Sequence, residues 1–456
     1  MSETRQKTLF VANRGEIALR IIRAGRRLGL RVVCGFSEAD RDASYLAAAD
    51  DAICIGPAAA SKSYLNIAAI ISAARLLKAD LIHPGYGFLS EKPEFAEAVE
   101  SADMTLVGPS ADVMRRMGDK VEAKAAMLAA GVPCVPGSKG ALPADPADMR
   151  RIAEETGFPV ILKAAGGGGG RGMRVVQRAE ELAEAAMLTR QEAERFFGNA
   201  EIYLEKFLER PRHVEIQIMA DAHGHAVWLG DRDCSMQRRH QKLIEEAPAP
   251  GIDRALVAEI GARCARSCVD IGYVGAGTFE FLYEDGQFYF IEMNTRIQVE
   301  HPVTEMVTGL DIVALQIEMA CGKPLPFVQD DIVSAGHAIE CRINAEDPET
   351  FAPSPGRVTA LHLPGGPGVR VDTHMNSGGA VSAHYDSMIA KVIAHGADRT
   401  EALARARAAV AEMRVEGIST NLSLHRDLIA EPGFAAGGVS IHHLERLLKG
   451  KAGDHA

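Results

Sequence analysis

Residues 8–36 read TLFVANRGEIALRIIRAGRRLGLRVVCGF. The run TLFVA is a short buried strand. Ile17, Ile21, Ala24 and Leu28 then recur at helical spacing, and RVVCGF is a second strand. Strand, helix and strand in so short a space predict a βαβ unit at the start of a parallel sheet. The turn after the first strand is Asn13-Arg14-Gly15-Glu16. It lacks the G-x-G-x-x-G by which a pyrophosphate approaches a helix N-terminus, which disfavours a dinucleotide-dependent dehydrogenase. Further βα alternation runs through Leu81-Ile82-His83 and Thr105-Leu106-Val107, closing a first domain near residue 117.

Beyond it the texture changes. Strands are expected at 160–163, 173–176, 201–207, 212–219 and 226–230, with helices between. Turn-rich links such as Asp221-Ala222-His223-Gly224 favour antiparallel pairing, hence α+β. A third region from residue 334 has strands, Gly/Pro-rich turns at 363–368 and a helix over 400–413. The fold class is therefore α/β and α+β multidomain: an N-terminal parallel α/β domain (1–117), a central domain (118–333), a C-terminal α+β domain (334–446) and a flexible tail (447–456). A length of 456 residues suits about three domains.

A net charge of −11 gives no reason to bind nucleic acid or an anionic membrane, so any anionic substrate needs a local basic cluster. No stretch reaches the ~18 apolar residues of a membrane span, and the N-terminus has no signal-peptide core. Eight scattered cysteines without a C-x-x-C pair predict reduced thiols and a cytoplasmic location, with Cys264 and Cys268 on one buried helix face.

Four stretches carry chemistry. Lys163-Ala164-Ala165 precedes five glycines, Gly166 to Gly170, framed by apolar strands. Such a loop lets backbone N–H groups approach phosphate, although no G-K-[ST] follows as in a Walker loop. Residues 277–283 and 288–294 form a predicted hairpin turning at Asp285-Gly286, which brings Glu280 and Glu292 within about one residue of direct opposition. Two carboxylates so close, with Asn294 beside them, suit Mg²⁺. Arg296 and Glu300 follow at once, a fixed cation and a potential general base. Residues 231–242, rich in donors, form the basic cluster that the acidic chain requires.

With these residues in view, the sequence resembles the biotin carboxylases of the ATP-grasp superfamily. NRGEIALR (13–20), HPGYGFLSE (83–91), GDK (118–120), KAAGGGGGRGMR (163–174), PRHVEIQ (211–217), RDCSMQRRHQK (232–242), GTFEF (277–281), FIEMNTRIQVEHPVTE (290–305), ECRINAED (340–347) and YDSMI (385–389) occur in the family's order and spacing. The resemblance implies an ATP-grasp central domain with a mobile lid over about 134–204.

It also implies residue roles. Lys120 and Lys163 would contact ATP phosphates, and Gly169 and Gly170 would belong to the lid. Glu205, Lys206, Phe207 and Leu208 would form the adenine hinge, while His213, Gln237 and His240 line the nucleotide. Glu280, Glu292 and Asn294 would hold Mg²⁺ or Mn²⁺, with Glu280 also lining the nucleotide site. Lys242, Arg296, Gln298 and Val299 would bind bicarbonate, with Glu300 as its base. Arg342 would face the ureido group of biotin. The implied partners are a biotin carboxyl carrier protein and carboxyltransferase subunits, most naturally those of acetyl-CoA carboxylase. The carrier is expected on another chain, because none of the 16 methionines precedes a lysine.

Two departures stand out. Ser382-Ala383-His384 replace the Pro-Pro usual before the YDSM motif, where a local loop change is expected. Arg27 stands where dimerising relatives carry an acid, and with Arg23 it stacks like charges one turn apart, so any homodimer is expected to be weakened or altered. The alternatives are another ATP-grasp ligase of the carbamoyl-phosphate type and a nucleotide-sensing regulatory subunit. The first lacks RIQVEHP together with ECRINAED, and the second would require losses at the site.

Overall fold

The computed structural model describes residues 5–138, 140–165 and 172–453. The N-terminal sheet comprises β1 (Thr8–Val11), β2 (Arg31–Ser37), β3 (Asp51–Gly56), β4 (Leu81–His83) and β5 (Thr105–Leu106), all parallel in the order β3-β2-β1-β4-β5. Leu9 and Val11 pack into one core and Phe10 into another. Burial on both faces is why this strand reads as an unbroken apolar run. The helix Gly15–Arg27 buries Ile17, Ile21 and Ala24 against the sheet. Gly25 permits that approach: a Cβ there would lie 2.8 Å from Val32 Cγ2 and 2.9 Å from Leu9 Cδ2.

A small antiparallel sheet of β6 (Val160–Ala164), β7 (Met173–Val176) and β8 (Ile202–Lys206), ordered β7-β6-β8, has its own core with the helices Pro146–Thr156 and Leu182–Phe197. The main sheet is built from β9 (Arg212–Ala220), β10 (Ala226–Arg238), β11 (Gln241–Ala247), β12 (Gly275–Glu284), β13 (Gln287–Asn294) and β14 (His337–Asn344). Strands β15 (Gly356–Arg357), β16 (Ala360–His362), β17 (Val369–Thr373), β18 (Ala380–Val381), β19 (Met388–Gly396) and β20 (Arg414–Glu416) follow.

Three features differ from the sequence reading. First, the main sheet has eight strands in the order β13-β12-β9-β10-β11-β14-β19-β17, so it runs without a break from the central region into the C-terminal one. Ile244 pairs with Cys341 and Glu245 with Glu340 across that junction. An open edge on β11 would leave a row of backbone groups unpaired, and β14 covers it. Second, β10 continues to Arg238 rather than ending at residue 230. Asp231, Arg232, Asp233, Ser235 and Gln237 are buried polar residues, so the apolar alternation that marks a strand is missing. Third, the helix His443–Gly453 extends past residue 447, with Leu447 and Leu448 packed against the C-terminal core.

All eight cysteines are free, and Cys264 and Cys268 are buried together in one core. Among the described residues no helix is long and apolar enough to cross a membrane.

Candidate active site

The hairpin β12–β13 turns at Asp285 (φ 49°) and Gly286 (φ 77°), a pair of left-handed residues that matches the strand twist. Glu280 and Glu292, expected within about one residue of opposition, become direct cross-strand partners through a bulge between Glu280 and Phe281, and Asn294 lies two residues on, on the face of Glu292. Phe279, Phe281, Phe288 and Phe290 fill the opposite side. The row continues through the sheet: Glu280 pairs with Glu215 on β9, which pairs with Arg232 on β10.

Arg232 is fully buried. Its guanidinium donates to Glu215 (2.5 Å), Gln217 (2.7 Å), Thr304 (2.9 Å), Thr278 (3.3 Å) and Gln298 (2.6 Å), which orients the carboxylate row and the 298–300 turn together. Lys242 Nζ lies 2.7 Å from Glu215, 3.1 Å from Glu280 and 2.5 Å from Glu300. Gln298 donates to Glu280 at 2.7 Å, and His213 Nε2 is 3.2 Å from the same carboxylate.

Glu300 closes the cluster, accepting from Lys242 and, at 2.9 Å, from Arg342. Burial alone would raise its pKa, but Lys242, Arg342 and Arg232 hold it well below the carboxylate range, so it stays ionised. Burial would likewise raise Glu280, yet Lys242 and His213 hold it low. Arg342 also binds Glu245 (Nε to Oε1, 2.5 Å). Burial pushes Glu245 up to about 7, against the pull of Arg342 and with the push of Glu300.

Arg296 is held by Glu91 (Nε to Oε2, 2.8 Å) and donates to Asn294 Oδ1 at 2.7 Å, while the Thr295 N–H caps the other Glu91 oxygen at 3.0 Å. Lys163 Nζ is 2.5 Å and Lys124 Nζ 3.3 Å from Glu205. The Lys206 and Phe207 N–H groups donate to the Pro136 (2.8 Å) and Pro159 (3.0 Å) carbonyls within the chain. Gln237 donates to the Cys234 carbonyl (3.1 Å), and His240, at the tip of the β10–β11 hairpin, has φ 66°.

One cleft of about 1400 Å³ gathers Lys163, Glu205, Lys206, Phe207, Leu208, His213, Gln237, His240, Lys242, Glu280, Glu292, Asn294, Arg296, Gln298, Val299, Glu300 and Arg342. Gly169, Gly170 and the Lys120 side chain lie outside the described residues. Tyr385, after the altered Ser-Ala-His segment, also lines the cleft, with the Arg14 guanidinium 4.3 Å over its ring.

Sequence reasoning missed several members. Glu215 and Arg232 lie within quoted motifs, and the alternation His213, Glu215, Gln217 between Val214, Ile216 and Ile218 was the available signal for a polar strand face. Glu91 closes the quoted motif HPGYGFLSE, but its pairing with Arg296, 205 residues away, had no signal in the sequence. The apolar cleft residues Met173, Tyr203, Leu282, Ile291 and Ile441 read as ordinary core.

As a metal-binding set, Glu280, Glu292 and Asn294 offer hard oxygen donors on one face of adjacent strands. The chemistry fits Mg²⁺.

Three sequence families match in succession: "Biotin carboxylase, N-terminal domain" over residues 5–114, "Carbamoyl-phosphate synthase L chain, ATP binding domain" over 119–328 and "Biotin carboxylase C-terminal domain" over 340–446. A biotin carboxylase from Pseudomonas aeruginosa is 60% identical over 440 residues, covering 96% of this chain and 98% of that one. The structure is similar to that of a Campylobacter jejuni biotin carboxylase in a complex described as beta-gamma-ATP (TM-score 0.89, 48% identity, 96% and 98% covered). It is also similar to the biotin carboxylase domain dimer of Hydrogenobacter thermophilus 2-oxoglutarate carboxylase with MgADP, ADP and bicarbonate (TM-score 0.87, 43% identity, 96% and 97% covered). Identity this high over nearly the whole of each chain goes well beyond a shared fold: the chain belongs to the biotin carboxylase family.

Proposed function

We propose that this protein is an ATP-dependent ligase that carboxylates biotin on a separate carrier protein, using bicarbonate and forming carboxyphosphate on the way. The observation that carries the reading is the buried, ionised Glu300 held between Lys242 and Arg342 in the cleft that also contains Lys163 and the hinge.

Lys242, Arg296, Gln298 and the Val299 backbone hold bicarbonate, and Glu300 takes its proton as it attacks the γ-phosphate. Lys163, with Lys120, draws charge from the phosphates. Glu280, Glu292 and Asn294 would hold Mg²⁺ or Mn²⁺, which would supply charge neutralisation on the nucleotide. Carboxyphosphate breaks down to CO₂ and phosphate, and the phosphate removes the biotin N1 proton. Arg342 stabilises the resulting enolate, and N1 attacks CO₂. The remaining cleft residues, among them Glu205 to Leu208, His213, Gln237 and His240, seat the nucleotide.

The second half-reaction belongs to carboxyltransferase subunits, and acetyl-CoA carboxylase is the parent complex that the resemblance favours. The free thiols support a cytoplasmic setting. A homodimer, altered at the helix bearing Arg23 and Arg27, completes the reading. Arg27 is paired with Asp311 at 2.7 Å, so part of its charge is answered within the chain.

The decisive experiment is ATP hydrolysis by the purified protein with and without bicarbonate and free biotin. Phosphate release that requires bicarbonate and rises with biotin is the expected result; release indifferent to both refutes the reading.

A further inference from the structure

Lys391 is among the largest fully buried side chains of the protein, yet the chemistry above does not use it. It lies on β19 opposite Arg342. Its Nζ donates to the Val299 carbonyl at 2.9 Å and sits 3.2 Å from Glu16 and 3.9 Å from Asp372. Glu16 also accepts from the Tyr86 hydroxyl. One residue before, the Gln298 carbonyl is met by His301 Nδ1 at 2.8 Å. Two successive carbonyls of the 298–300 turn are thus tied to buried side chains.

In a planar trans peptide the C=O and the following N–H point in opposite directions. Tying the Gln298 carbonyl therefore aims the Val299 N–H, and tying the Val299 carbonyl aims the Glu300 N–H. A buried ammonium is expensive to desolvate and a methionine would fill the same space at less cost, so packing alone does not account for a lysine here.

We propose that Lys391 is a positioning residue for bicarbonate, fixing and polarising the Val299 peptide so that the amides of the 298–300 turn are preset for the anion. Glu16, from the N-terminal helix, holds Lys391 in place. The N-terminal helix, the central turn and the C-terminal strand thereby meet behind the anion site. The proposal rests on the reading of the 298–300 turn given under the proposed function.

The test compares wild type with the double variant Lys391→Met/Glu16→Gln, which removes both buried charges together. A rise of about tenfold or more in the bicarbonate KM is expected, with a smaller change in kcat and the ADP Kd within about twofold. A folded double variant whose bicarbonate KM stays within about twofold of wild type overturns the proposal. If the double variant does not fold, Glu16→Gln alone serves: releasing Lys391 from its counter-ion should raise the bicarbonate KM at least about threefold, and an unchanged KM overturns the proposal. Wild-type protein with no bicarbonate-dependent ATP cleavage would instead overturn the functional reading, and this inference with it.

Discussion

Replacing Glu300 by Gln and Arg342 by Ala should damage different halves of the reaction, and the charge cluster sets the expected sizes. Glu300 is 2% exposed. When its charge is removed, Lys242 keeps Glu215 at 2.7 Å and Glu280 at 3.1 Å, and Arg342 keeps Glu245. No cation is stranded. The glutamine weakens two charge-assisted hydrogen bonds, by about 1–2 kcal/mol each, and relieves repulsion among Glu215, Glu245, Glu280 and Glu300. The Tm should therefore move by only a few degrees. Activity should fall much further: losing the base costs roughly 10²–10⁴-fold, about 2.7–5.5 kcal/mol, in both phosphate release and carboxybiotin.

Arg342→Ala deprives Glu245 and Glu300 of one partner. Glu300 retains Lys242, and Glu245, already pushed up to about 7 by burial, takes up a proton instead of standing as a bare charge. The penalty should therefore fall below the about 3–5 kcal/mol of a broken buried pair. Phosphate release should stay within about tenfold of wild type while carboxybiotin falls by about a hundredfold or more. Phosphate and carboxybiotin measured in parallel on both variants give the answer. Equal loss of the two products in Arg342→Ala, or normal ATP cleavage in Glu300→Gln, would refute the assignment.

Glu91→Gln should free Arg296 and raise the bicarbonate KM by about tenfold, some 1.4 kcal/mol, with ADP affinity unchanged by calorimetry. The buried Glu246 is raised by burial, but hydrogen bonds from His337 and Arg399 outweigh that and hold it below its ordinary value. Its stabilisation is present above the unfolded carboxylate pKa of about 4.3 and is lost as pH falls through the lower folded value. Glu246→Gln should therefore melt lower at pH 7 and show a flatter acid limb below about pH 4; parallel acid limbs in thermal melts would contradict this. Arg27→Glu sets a carboxylate against Asp311, which also binds Arg20 and caps the helix Ile312–Ala320. Sedimentation velocity should show a dimer equilibrium shifted from wild type, and a tight dimer indifferent to the change would count against the role given to this helix.

The sequence by itself determined whatever depends on near neighbours. Apolar runs and helical spacing in residues 8–36 marked a parallel sheet, because burial on two faces leaves no polar alternation. The Asp285-Gly286 turn set Glu280 and Glu292 within one residue of opposition, because two left-handed residues specify a tight hairpin, and a bulge between Glu280 and Phe281 makes the pairing direct. The order of the motifs identified the family and the side chains that gather in one cleft. Only the tertiary structure decided the partners of the buried charges: Glu91 with Arg296, Arg232 with Gln298, Lys391 with Val299 and Glu16. It also joined β11 to β14 in one continuous sheet across a boundary that composition suggested. The physical reason is that periodicity reports which face of an element is dry, whereas an ion inside the protein takes the counter-charge that the packing of distant elements delivers.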